Sequence, residues 1–166
     1  MNKRRILIGL LLTFAMLIGF FAITRPPAWR GLLYNGMFDA CRDDSLIRTR
    51  IWLFLGASPD GASDYTVSVR YVGSEFMSHV HLAVSHPNCR VLRLLLSKGA
   101  SPDLKLGDLT TPLALAIGDH RVEATKMLLE AGANPRYTDR WTALDQAKSL
   151  KYDDLIPIIQ PYLKQR

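Results

Sequence analysis

A four-residue phrase returns along this chain, and its spacing limits the possible folds more than any other feature. Gly56-Ala57-Ser58-Pro59 recurs 43 residues later as Gly99-Ala100-Ser101-Pro102, and 33 residues after that as Gly132-Ala133-Asn134-Pro135. Each copy closes an apolar segment: IWLFL at 51–55, LRLLLSK at 92–98, KMLLEA at 126–131. A second phrase keeps the same phase. Thr111-Pro112-Leu113-Ala114-Leu115-Ala116 begins 21 residues before Gly132, and Ser78-His79-Val80-His81-Leu82-Ala83 begins 21 before Gly99. A third version, Thr142-Ala143-Leu144-Asp145-Gln146-Ala147, follows the last copy. Two signatures in one register point to a repeated unit that cannot bury its own apolar face and must stack on its neighbours.

These residues resemble the ankyrin repeat: Thr-Pro-Leu-His-x-Ala, a turn, a leucine-rich second helix, then Gly-Ala and an extended finger. The resemblance implies an all-α solenoid of helix pairs with β-hairpin fingers, with repeats over about 31–60, 76–103, 109–136 and 140–166. The pattern also has local causes. Thr111 can cap the first helix, and Pro112 suits its first position. Leu113 and Ala116 share a face, and Gly132 can adopt the positive φ that ends the second helix. The end copies diverge. Trp29, Leu32, Leu33, Met37 and Phe38 are spaced as an apolar helical face of a first cap, where Arg48 and Thr49 replace the family's aliphatics and Leu46-Ile47 suggest a shifted register. In the last copy a second helix is expected over 153–160, with Pro157 tolerable only in its first turn.

Between Gly56 and Ser78 about ten residues are added to the period. Tyr65, Val67, Val69 and Tyr71 alternate with Thr66, Ser68 and Arg70, the period of a strand, between turn formers Asp60-Gly61 and Gly73-Ser74. The expectation is an elongated β-hairpin finger over 60–75. It is either a tolerated surface loop or a partner-contacting element.

At the other end, residues 6–24 form a run of 19 without a charge, preceded by a basic tail over 1–5 and followed by Arg25-Pro26-Pro27. At about 1.5 Å per residue the run covers most of a bilayer core. It is longer than a signal peptide's apolar core, and Phe20, Phe21, Ala22 and Ile23 give a poor cleavage site. One transmembrane signal-anchor helix is therefore expected, with a linker over 25–30 and the repeat domain over 31–166. The alternative is a cleaved signal and a soluble periplasmic protein. The basic tail favours a cytoplasmic N-terminus and a periplasmic domain at a bacterial inner membrane. Of the net charge of +6, half comes from Lys3, Arg4 and Arg5, and the remaining charges are interspersed. Nothing gathers cations as nucleic-acid binding requires, so no nucleic-acid partner is expected.

Chemistry-bearing residues are few. His79, His81 and His86 lie near Cys89 but match no zinc spacing, so neither metal nor cofactor is expected. Cys41 and Cys89 are expected as free thiols. No nucleophile elbow, phosphate loop or dinucleotide fingerprint is present, which argues against an enzyme.

The resemblance implies a groove between the fingers and the exposed edge of the first helices. Carried onto matching positions, it comprises Asp39, Arg42, Leu82, Ser85, Leu115 and Gly118 from the helices. The fingers add Asp103, Lys105, Asp108, Arg136, Tyr137, Asp139, Arg140 and Trp141, with Tyr65, Val67, Val69 and Tyr71 from the insertion. Trp141 could equally pack beneath the short last finger. A non-enzymatic protein-binding module follows, in its sharpest form an immunity-type inhibitor of a secreted toxin. Alternatives are a scaffold or assembly factor of a membrane complex, or a periplasmic stress-protection protein.

Overall fold

The computed structural model describes residues 13, 16, 27–61, 78–104, 111–138 and 141–163. Among the described residues from 27 onward, eight helices form four antiparallel pairs: α1 (Pro27–Arg42) with α2 (Leu46–Phe54), α3 (His79–Val84) with α4 (Arg90–Ser97), α5 (Pro112–Gly118) with α6 (Val122–Glu130), and α7 (Ala143–Ser149) with α8 (Ile156–Leu163). The first helices of successive pairs contact one another in order, α1 to α3 to α5 to α7, and each packs on its own second helix. One continuous apolar cluster threads the stack, including Met37, Phe38, Val80, Leu92, Leu95, Leu113, Ile117, Leu128, Leu155 and Ile159. Burying each such side chain contributes about 1.5–3 kcal/mol. The expectation of side-by-side stacking holds.

The helix starts are fixed as the repeated phrase requires. The hydroxyls of Ser78, Thr111 and Thr142 accept the amides of His81, Ala114 and Asp145, at 3.3, 3.1 and 3.2 Å. Asp145 returns the favour to the Thr142 amide, completing a capping box. Ends are equally regular. Gly56, Gly99 and Gly132 take φ of +94°, +83° and +92°, which lets the amides of Ala57, Ala100 and Ala133 reach back five residues to the carbonyls of Trp52, Leu95 and Leu128. The turns within pairs use a left-handed residue that is not glycine: Asp44, Cys89, His120 and Lys151.

Two boundaries and two side chains differ from expectation. α1 begins at Pro27, inside the expected linker, because proline at a first helical position loses no intrahelical bond. In the cap, Leu33, Met37 and Phe38 are buried but Leu32 is half exposed. Thr49 is fully buried in the place of an aliphatic because its hydroxyl donates to the Ser45 carbonyl at 2.9 Å. α8 begins at Ile156 rather than 153, which sets Pro157 in its first turn, and it also contains Pro161 close to its end. Strands β1 (Arg136–Thr138) and β2 (Trp141–Thr142) pair antiparallel as the last finger. Apart from Thr13 and Met16, the run 6–24 lies outside the described residues, as does the expected 60–75 finger apart from Asp60 and Gly61. Among the described residues no helix is long and apolar enough to cross a membrane.

Candidate interaction surface

Stacking turns equivalent positions into rows. One row runs Asp39, Leu82, Leu115 and Gln146; the next, three residues on, runs Arg42, Ser85, Gly118 and Ser149. The first row is mostly closed. Leu82 is only 8% exposed and belongs to the core, because α3 lies between the sixteen-residue α1 and α5. It is removed from the expected groove. Asp39 and Leu115 are half-buried, and the Gln146 amide donates to the Ala114 carbonyl at 2.9 Å, tying α7 to α5. The second row is open. Arg42, Gly118 and Ser149 are exposed and Ser85 is half-buried. With small residues in three of four repeats, a partner can approach the helix backbones closely. Gln146 and Ser149 were not among the expected residues, although carrying the shorter last period from Leu115 and Gly118 reaches them.

The fingers are joined to each other by two aspartates, one expected in a turn (Asp60) and one expected as a surface contact (Asp103). Asp60 Oδ1 accepts the Ser101 amide at 2.6 Å, and Asp103 Oδ1 accepts the Asn134 amide at 2.7 Å. Each aspartate follows the Gly-Ala-Ser-Pro phrase and binds the third residue of the next phrase. Asp103 is therefore a half-buried fastener between fingers rather than a free contact. The last phrase carries Arg136 at that place. Its guanidinium donates to the Leu163 carbonyl at 3.3 Å and fastens the C-terminal end of α8.

Beside it, Tyr137 is half-buried against the apolar cluster, and burial raises its phenol pKa well above the ordinary value. Trp141 is 45% exposed, which places it on the surface of the last finger rather than beneath it. Lys105, Asp108, Asp139, Arg140, Tyr65, Val67, Val69 and Tyr71 lie outside the described residues. Arg42 pairs with Asp39 at 3.1 Å and with Asp43 at 3.4 Å, and Arg48 reaches Asp43 at 2.8 Å. At this exposure such pairs contribute little to stability, but they order the charges at the head of the open row.

The histidines have separate tasks. His81 Nδ1 meets the Ser78 hydroxyl at 2.7 Å, a structural bond within the helix start. His79 stands where the third repeat has Pro112; its Nδ1–H donates to the Ser58 carbonyl at 3.2 Å, and its ring packs on Tyr34 at 5.5 Å. Burial pushes its pKa down to about 4, against the opposing pull of the Ser58, Pro59 and Tyr34 carbonyls and Asp60. Among the described residues no three His, Cys, Asp or Glu side chains are gathered to hold a metal. Cys41 and Cys89 are free and buried. Burial, ahead of a lowering bond from Thr49 and a raising charge on Asp44, pushes the Cys41 thiol up to about 12.

On the opposite side an open groove of about 360 Å³ lies between α4 and α6, with Leu96 and Met127 beneath Arg93, Glu123, Lys126 and Glu130. Its mixed charges select no particular ligand. Comparison with curated proteins finds no match. Residues 80–160 match the family model for ankyrin repeats (3 copies), a stretch that spans the second, third and fourth helix pairs.

Proposed function

We propose that the chain is a non-enzymatic binding module, held by residues 6–24 in a bacterial inner membrane, that recognises a protein partner in the periplasm, most specifically as an immunity-type inhibitor of a toxin. Ankyrin repeats generally serve protein–protein interaction. The observation that carries the reading is the open row Arg42, Ser85, Gly118 and Ser149, with the exposed Trp141 just before the start of α7, the helix that Ser149 ends. Small residues allow close approach, Trp141 offers an aromatic anchor of the kind that dominates interfaces, and ordered charges at Asp39, Arg42 and Asp43 can set orientation.

A photo-crosslinker at Gly118 or Trp141 should capture one defined protein, and a crosslinker at Lys98 should not. Gly118→Trp should abolish capture while Lys98→Trp leaves it intact. Equal capture from all three positions would sink the assignment of the surface. Replacing residues 6–24 with an unrelated anchor should preserve protection of the cell, whereas a scaffold acting through its transmembrane helix should fail.

A further inference from the structure

The second helix of the first pair is apolar on two sides. Trp52 and Leu53 pack toward the core, yet Ile47, Ile51 and Phe54 are 73%, 51% and 84% exposed. Spacings of four and three residues align them in one stripe. Leu32 on α1 is exposed by half. A helix apolar on both sides is ordinarily covered on both sides. Elsewhere among the described pairs exposed large apolar residues are scattered, as with Val122, Trp141 and Leu150.

We propose that this stripe rests on the surface of a lipid bilayer, so that the first pair is a membrane-facing cap. The inference rests on the reading of residues 6–24 as an anchor. Those residues end three positions before Pro27, where α1 begins. α1 and α2 are joined by a three-residue turn, with Gly36 against the Trp52 ring, so they run antiparallel. Phe54 therefore lies level with the N-terminal half of α1, about 10 Å along the axis from its start. Pro26 and Pro27 lack amide donors, which disfavours one continuous helix from the run 6–24 into α1. Arg50 is exposed between Ile47 and Ile51, placed to meet lipid phosphates while its stem stays on apolar surface.

Magnitude supports a bilayer over a second copy. Four partly covered side chains fall well short of the roughly 800 Å² per partner that a stable interface requires. They are equally too few to hold a free domain on lipid, but a tether supplies the second signal that membrane attachment needs.

The test uses the full chain in vesicles of phosphatidylethanolamine and phosphatidylglycerol, with an environment-sensitive fluorophore on Ile47→Cys, Ile51→Cys, Phe54→Cys or, as control, Glu130→Cys. The buried Cys41 and Cys89 set the background in unsubstituted protein. Nitroxide-bearing lipid should quench the three stripe labels at least about twofold more than the control, as expected for apolar side chains below the headgroups. Quenching no stronger than at Glu130→Cys, in chains that resist alkaline carbonate extraction, overturns this inference and leaves the anchor standing. Unquenched labels in chains that carbonate releases overturn both. Quenched labels in released chains support the lipid-facing cap and sink the anchor. Disulfide-linked pairs of Phe54→Cys chains without quenching assign the stripe to a second copy and also overturn it.

Discussion

The first and third helix pairs are built to one plan but finished differently. In the third pair Thr111 caps α5, Pro112 fills its first position, and Leu113, Ile117, Leu128 and Leu129 are all essentially inaccessible. In the first pair α1 begins at Pro27, where the sequence has Arg25-Pro26 in place of a capping Ser or Thr, and Ile47, Ile51 and Phe54 face outward. An interior repeat has a neighbour on each side and can satisfy every apolar side chain. A terminal repeat lacks one neighbour, so soluble solenoids make their outermost face polar. The first pair does not. The ankyrin family model begins at residue 80 and leaves this pair out, so its divergence is visible in sequence and in packing alike.

The largest expected difference between the two pairs is in core truncation. Leu128→Ala removes a side chain enclosed between α5 and α6 and should destabilise the detergent-solubilised chain by about 3 kcal/mol, whereas Phe54→Ala should cost under about 0.5 kcal/mol. Urea unfolding measures both. A large loss on truncating Phe54 would show that the stripe is covered within the protein, contrary to its exposure.

Next comes the position that distinguishes the second repeat from the third, His79 against Pro112. The ring is neutral in the fold, with its pKa moved from 6.5 to about 4 chiefly by burial. As pH falls, the unfolded chain therefore takes up this proton first. The contribution is complete above the unfolded value of 6.5 and disappears as pH falls through about 4. Over that window stability should decline by about 3 kcal/mol, and His79→Asn should flatten the decline. A profile unchanged by His79→Asn would mean that the ring is not held neutral.

Much of this was legible before any coordinates. Gly56, Gly99 and Gly132 announced the helix ends, Ser78, Thr111 and Thr142 announced the starts, and the 33-residue phase between the second and third copies forced the stack. What escaped is whatever depends on partners far away in the chain. Asp103 is a charged residue in a finger, and nothing local says that its acceptor is spent on Asn134, 31 residues on. Leu82 and Leu115 are the same residue at the same repeat position, and only the neighbours decide that one is buried and the other partly open. The outward turn of Ile47, Ile51 and Phe54 was hidden for a similar reason. A helix with apolar residues on two sides gives no single preferred face in sequence, and packing decides which side is left over.

The finger ladder gives the third expected effect. Asp103→Ala leaves the Asn134 amide without its carboxylate and should cost about 1.5–2 kcal/mol, at the low end of the range for bonds to charged groups. Asp60→Ala should do the same at Ser101. Arg136→Ala breaks only an exposed bond to the end of α8 and should have the smaller effect. Amide hydrogen exchange at Ser101 and Asn134 reads the two rungs separately. Each substitution should speed exchange at its own rung first, and simultaneous loss of both would show that the fingers open as one unit.

The smallest difference returns to the helix starts of the two pairs. The Thr111 hydroxyl accepts the Ala114 amide, so Thr111→Ala should cost about 1 kcal/mol, the usual worth of a cap. Ser45→Ala should be close to neutral, because the Ser45 side chain makes no capping bond and its carbonyl, which the substitution retains, is what receives the Thr49 hydroxyl and amide. Thr49→Val is the sharper probe of the first pair. It keeps the shape in a fully buried place and deletes a hydroxyl already satisfied by its own helix, restoring the aliphatic that the ankyrin pattern prefers. If Thr49→Val stabilises the chain while Thr111→Ala weakens it, the first pair carries slack that an interior repeat has lost. If both substitutions weaken it equally, Thr49 is tied to the neighbouring Cys41 thiol, and the first pair is as closely fitted as the third.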